Sequence, residues 1–190
     1  KPVFSINKWW KVYAKDTIKR LKKFNELRTN TYQICITGDA RNMNIFENIK
    51  NLSENKNFYK LLKKQKISGI FTSPPYIGLI DYHEQHAYAY DLFKINRNDN
   101  LEIGSLSKGQ SSIAKQSYIE DIAKVLNNSK KYMKDNYNIF IVANDKHDLY
   151  PKIAELSKMK IVNRFKRPVL NRVEKDKSAY SETIFHLKEL

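Results

Sequence analysis

Residues 67–72, Ile-Ser-Gly-Ile-Phe-Thr, form a short apolar run that stops at two consecutive prolines, Pro74 and Pro75. The run reads as a buried strand, and the prolines fix where it ends. Each holds φ at about −65° and lacks an N–H, so the chain leaves the ladder in a stiff bend. At 190 residues the chain is long enough for one α/β domain with a real core, and open α/β sheets hold their ligands at the carboxyl ends of strands.

The bend, Ser73-Pro74-Pro75-Tyr76, offers specific chemistry. The carbonyls of Ser73 and Pro74 can be presented without flexing, and carbonyl acceptors suit an exocyclic NH₂. The Ser73 hydroxyl can accept a second hydrogen from such an amine, and the Tyr76 ring supplies a face on which a flat base can stack. A stiff turn, or a polyproline-type docking site for another protein, is the alternative for an isolated Ser-Pro-Pro-Tyr. Here a strand-like run precedes it, and the aromatic and histidine-rich stretch Ile77 to Phe93 follows.

Thr72-Ser73-Pro74-Pro75-Tyr76 resembles the catalytic motif of amino-group DNA methyltransferases, which move a methyl from S-adenosylmethionine to N4 of cytosine or N6 of adenine. The Ser form is more typical of the N4-cytosine members. The resemblance implies a class I, Rossmann-like α/β sheet, mostly parallel with an antiparallel final strand. It implies catalytic roles for Ser73, Pro74, Pro75 and Tyr76, with the target base flipped out of the duplex. Gly38-Asp39-Ala40-Arg41 is similar to the family's sequence closing the strand before the catalytic one, which places Asp39 near the cofactor's adenine and Ala40, Arg41 and Thr72 beside it. The other reading makes Asp39 the N-cap of a segment from Met43 to Ile49. Tyr180 to Leu187 resembles the closing strand.

Charge supports a polyanionic partner, here DNA. Lys and Arg number 35 against 20 acids, a formal charge of +15, and twelve Tyr and nine Phe supply stacking surfaces among them. A Lys- and Asn-rich composition from genomic base bias gives the same balance without a ligand. Cys35, the only cysteine, excludes a disulfide within the chain and a thiolate metal cluster. Its alternating surroundings, Tyr32 to Ile36, predict a strand and a buried thiol. His83 and His86 lack the spacing and third ligand of a metal site, so no metal is expected. No apolar stretch approaches a membrane span, and Lys1-Pro2-Val3-Phe4 is not a signal-peptide start, so the expectation is a soluble, cytoplasmic protein.

Along the chain, Trp10, Tyr13, Thr17, Leu21 and Phe24 predict an amphipathic helix over 8–28, with Trp9 and Trp10 anchoring it to a sheet. A Lys-rich helix is expected over 53–66. Between 81 and 91, Asp81, Tyr82 and His83 are candidates for lining the base pocket or the DNA backbone; the alternative is a helix whose Tyr88 and Leu92 merely pack. Residues 94–114 read as a mobile loop. Tyr118, Ile122, Val125, Leu126, Ser129 and Met133 mark a helix, 138–145 a buried strand, and Leu149, Ile153 and Leu156 another helix. Strands near 160–166 and 182–188 close the sheet. The basic linker between them offers Lys166, Arg167 and Arg172 as phosphate contacts, or is a solvated hairpin.

The family holds its cofactor on a Gly-rich turn after the first strand, with an acid ending the second. The five glycines here never form Gly-x-Gly, and neither feature is found. Residues 1–190 are therefore expected to be one incomplete catalytic domain lacking the first strands, with a second chain as one source of the cofactor loop. The function expected is site-specific DNA methylation, of the restriction-modification kind. RNA or protein-glutamine methylation, or a non-catalytic nucleic-acid-binding subunit, are the alternatives.

Overall fold

The computed structural model describes residues 5–52, 56–168 and 181–190. The chain divides into two compact units, Lys1–Cys35 and Ile36–Leu190. The first contains helix α1 (Ile6–Leu27), whose start is capped by the Ser5 side chain accepting from the Lys8 N–H at 3.4 Å. None of its residues is buried, and Trp10, expected to anchor the helix, is 74% exposed.

The predicted strand ending at Ile36 does not form: residues 31–37 carry no regular structure, and Cys35 is exposed rather than buried. Alternation alone does not make a strand: an extended segment becomes one only where another strand satisfies its N–H and C=O groups.

The second unit opens with α2 (Ile45–Asn51) and α3 (Lys56–Gln65), then β1 (Ile67–Thr72). Two short helices follow, α4 (Tyr82–Gln85) and α5 (Ala87–Phe93), and then α6 (Ser112–Lys130), β2 (Met133–Ala143), α7 (Tyr150–Leu156), β3 (Met159–Pro168) and β4 (Ser181–Glu189). The predicted 118–133 helix ends earlier, because Met133 already pairs with Ile67 as the first residue of β2.

The four strands lie in the order β1-β2-β4-β3. β1 and β2 are parallel, while β4 runs antiparallel to both β2 and β3. Three strands thus share one direction, and the final strand is inserted between β2 and β3 against them. A mixed sheet with an antiparallel last strand is what the motif's resemblance implies. Gly69 is required in β1, since a Cβ there would lie 2.6 Å from the Asn138 carbonyl of β2.

One face of the sheet is covered. Ile139, Ile141, Phe185 and Leu187 pack in a single core with Ile122 and Leu126 of α6 and with Ile153 of α7. The other face carries Phe71, which pairs with Phe140 in the register, and Phe140 in turn stacks on His186 at 4.4 Å. Phe71 is 76% exposed, so β1 is half-covered and not the buried strand predicted from its apolar run. Among the described residues no helix is long and apolar enough to cross a membrane.

Candidate functional site

Because β1 and β2 are parallel and Thr72 pairs with Ile141, their carboxyl ends meet at one edge of the sheet. The Ser73–Tyr76 bend leaves β1 there, beside Asn144 and Asp145 leaving β2. Tyr76, Ile77, Asn144, Lys146 and His147 line a small concavity at this edge. The bend is braced from three sides. From α6, the Tyr118 hydroxyl donates to the Pro75 carbonyl at 2.9 Å. From β4, the Glu182 carboxylate accepts from the Tyr76 hydroxyl at 2.6 Å and from Arg167 of β3 at 3.1 Å. From the loop before α6, Gln110 donates to the Ile77 carbonyl at 3.3 Å and meets the His147 ring at 3.2 Å.

The turn continues through Gly78, whose φ of +61° is a left-handed conformation, and whose N–H donates to the Gly104 carbonyl at 2.8 Å. In contrast with the Pro75 carbonyl, the Ser73 hydroxyl and the Pro74 carbonyl take part in no hydrogen bond among the described residues. Ser73 is exposed, and Pro74 and Tyr76 are half-buried.

Asp39 and Arg41 form a different constellation. The Arg41 guanidinium reaches Asp39 through Nε and Nη2, Asp121 of α6 through Nη1 at 2.9 Å, and the Leu101 carbonyl at 3.2 Å. Asp39 also accepts the Arg41 N–H at 3.0 Å, so its oxygens accept four hydrogen bonds from one residue. These bonds hold its carboxyl below the usual carboxylate range, and the Asp39 hydrogen bonds push Arg41 up. Asn128 of α6 donates to the Ala40 and Met43 carbonyls at 3.1 and 3.0 Å, pinning the same loop. The cap of α2 is Asn44, not Asp39: its side chain accepts from the Glu47 N–H at 3.2 Å.

The remaining candidates are dispersed. Asp81 accepts from the Ser107 N–H and hydroxyl at 2.9 and 3.0 Å, and His83 shares a hydrogen bond with the Tyr90 hydroxyl at 2.7 Å. The Tyr82 N–H donates to Glu102 at 2.7 Å. Residues 99–101 and 106–108 form 3₁₀ turns, and Gly104 and Ser105 between them are buried. Tyr88 and Leu92 are exposed instead of packing. Lys166 lies in β3 beside Arg167, and Arg172 falls outside the described residues. No described contact joins the Asp39–Arg41 pair to the Ser73–Tyr76 bend.

Sequence reasoning missed Tyr150, Gln110 and Glu182, and it placed Tyr118 only as one member of an apolar stripe. Its hydroxyl was the available signal, since a buried tyrosine needs a polar partner.

A type II methyltransferase of Methanocaldococcus jannaschii, M.MjaII, is 50% identical to this chain over 188 residues, 99% of the chain. Over nearly its whole length the chain is thus similar to a type II methyltransferase. It spans 35% of that curated relative's length. A solved protein of Thermus thermophilus, assigned as a DNA modification methylase, aligns with 80% of the chain and 52% of its own at 13% identity and a TM-score of 0.41. No protein-family profile matches.

Proposed function

We propose that this chain carries the base-accepting half of a DNA amino-methyltransferase active site, acting on N4 of cytosine in preference to N6 of adenine, as part of a restriction-modification system. One observation carries the reading: at the strand edge where an α/β sheet binds ligands, the Ser73 hydroxyl and Pro74 carbonyl have no hydrogen bond among the described residues, while the next carbonyl is tied down. Two acceptors on a stiff support suit the two hydrogens of an exocyclic amine. Accepting from that amine draws its nitrogen toward tetrahedral geometry and leaves a lone pair for the incoming methyl; orientation and electrostatics then supply the rate.

The target base has to leave the duplex first, at a cost of a few kcal/mol. Stacking on Tyr76 offsets part of that cost, and the ring is held for the purpose by Glu182. Lys166, with Asp81, Tyr82 and His83 nearer the motif in sequence, belongs to the proposed DNA-facing set. Arg167 is shared between that role and Glu182.

S-adenosylmethionine is the methyl donor that the motif's resemblance implies. Its sulfonium supplies an electrophilic methyl when bound. The described residues do not fit a complete cradle for it. Asp39 spends its acceptor positions on Arg41, which makes that pair a brace for the loop at Ala40, and Thr72 alone of the expected cofactor contacts borders the bend. The remaining contacts are assigned to another polypeptide segment, and these residues supply the acceptor's chemistry alone.

The test is turnover by the native protein with duplex DNA and S-adenosylmethionine. Ser73→Ala and Pro74→Ala are expected to lower kcat by about tenfold or more, in line with the loss of a hydrogen bond or of its orientation at the reacting centre. Wild-type turnover in both variants overturns the reading.

A further inference from the structure

We propose that Tyr118 and Tyr150 are positioning residues, a buried two-hydroxyl relay that fixes the diproline bend through the Pro75 carbonyl. The inference rests on the amine-cradle reading of the bend for its consequence in turnover, and on geometry alone for the relay itself. The two phenols are 3% and 2% exposed, and their oxygens lie 3.1 Å apart.

Proton inventory gives the relay a direction. A tyrosine hydroxyl has one hydrogen, and Tyr118 commits its own to the Pro75 carbonyl at 2.9 Å, an oxygen that cannot donate in return. The hydrogen between the two phenols therefore belongs to Tyr150, and the chain runs from Tyr150 through Tyr118 to Pro75. Burial pushes the Tyr118 hydroxyl up to about 12 and raises Tyr150 as well, so both keep their protons across the working range.

Both rings are held. Tyr150 opens α7 with its N–H donated to Asp145 at 3.1 Å, and its ring stacks on Phe185 with centroids 4.7 Å apart. The Tyr118 ring lies so close to Gly104 that a Cβ there would come within 2.8 Å of it. The relay thus connects the start of α7, the body of α6 and the loop at Gly104 to the one carbonyl that follows the two proposed amine acceptors. Proline's fixed φ makes the bend stiff, but rotation about the flanking ψ angles still aims it. Tyr118 sets that angle.

The experiment compares Tyr118→Phe, Tyr150→Phe and the double variant with the native protein, reading amide exchange at Tyr76, Ile77 and Gly78, thermal melting, and steady-state kinetics with DNA and S-adenosylmethionine. Tyr118→Phe strips the Pro75 carbonyl of its donor and leaves the Tyr150 hydroxyl buried without an acceptor. The double variant removes that stranded hydroxyl but not the loss at Pro75. The expected result is exchange in the bend faster by about tenfold in Tyr118→Phe and in the double variant, and by about threefold in Tyr150→Phe, with melting partly recovered in the double variant. Over the same series kcat falls in step with exchange, while KM for DNA moves less than about twofold.

Exchange in the bend that is unchanged in Tyr118→Phe, or that recovers together with melting in the double variant, overturns the relay whatever turnover does. Ser73→Ala measured alongside separates the two claims: unaltered turnover there removes the amine-cradle reading and leaves the exchange result to decide the relay.

Discussion

Tyr76 has two separable tasks, because its ring and its hydroxyl face different partners. The hydroxyl is bound to Glu182, and the ring is the proposed stacking face for the flipped base. Tyr76→Phe keeps the ring and removes the tether; Tyr76→Ala removes both. With 2-aminopurine at the target position, the alanine variant is expected to lose flipping by about 1–3 kcal/mol of stacking, and the phenylalanine variant clearly less. Equal losses would assign the work to the hydroxyl. His186 makes a second residue-level prediction. Its Nε2–H donates to Asn138 at 2.8 Å and its ring stacks on Phe140, and burial first and then Lys188 lower its pKa from the ordinary 6.5. Protonation is thus easier in the unfolded chain, so the stability His186 contributes is complete above that value and is lost as pH falls through the lowered one. Denaturation midpoints between about pH 7 and 5 are expected to fall less in His186→Gln than in wild type.

Between elements, Arg41 fastens the loop at 39–43 to α6 through Asp121 and to the 99–101 turn through Leu101. Arg41→Met leaves Asp39 without its cation and Asp121 with Lys124 alone at 3.2 Å, and is expected to cost about 2–3 kcal/mol by urea denaturation, below the range of fully buried pairs because the Arg41, Asp39 and Asp121 side chains are 13–21% exposed. Ile139→Ala, in the centre of β2, is expected to cost about 2–5 kcal/mol by the same measurement. At this scale the sequence was informative where the signal was local. The stop at Pro74 bounded β1 to the residue, and the spacing of Tyr118, Ile122 and Leu126 found α6. It misled where pairing is non-local: residues 32–36 alternate like a strand but carry no regular structure, and Met133 continues the helical spacing although β1 claims it. Nor could spacing show that Glu182 crosses from the last strand to Tyr76, 106 positions away.

Taken whole, the chain joins a formal charge of +15 to a sheet edge that carries the proposed amine acceptors. If the charge serves DNA binding, log affinity falls linearly with log salt, and Lys166→Gln is expected to reduce the slope by about one. Arg167→Gln is expected to change it less, since Glu182 already holds that guanidinium. The direct test of the central claim is the identity of the methylated atom. Duplex DNA is incubated with the native protein and S-adenosylmethionine bearing a deuterated methyl, then digested to nucleosides and weighed by mass spectrometry. The account predicts the label on N4 of deoxycytidine, and its loss in Pro74→Ala; label on a ring carbon, or in no nucleoside at all, would contradict it.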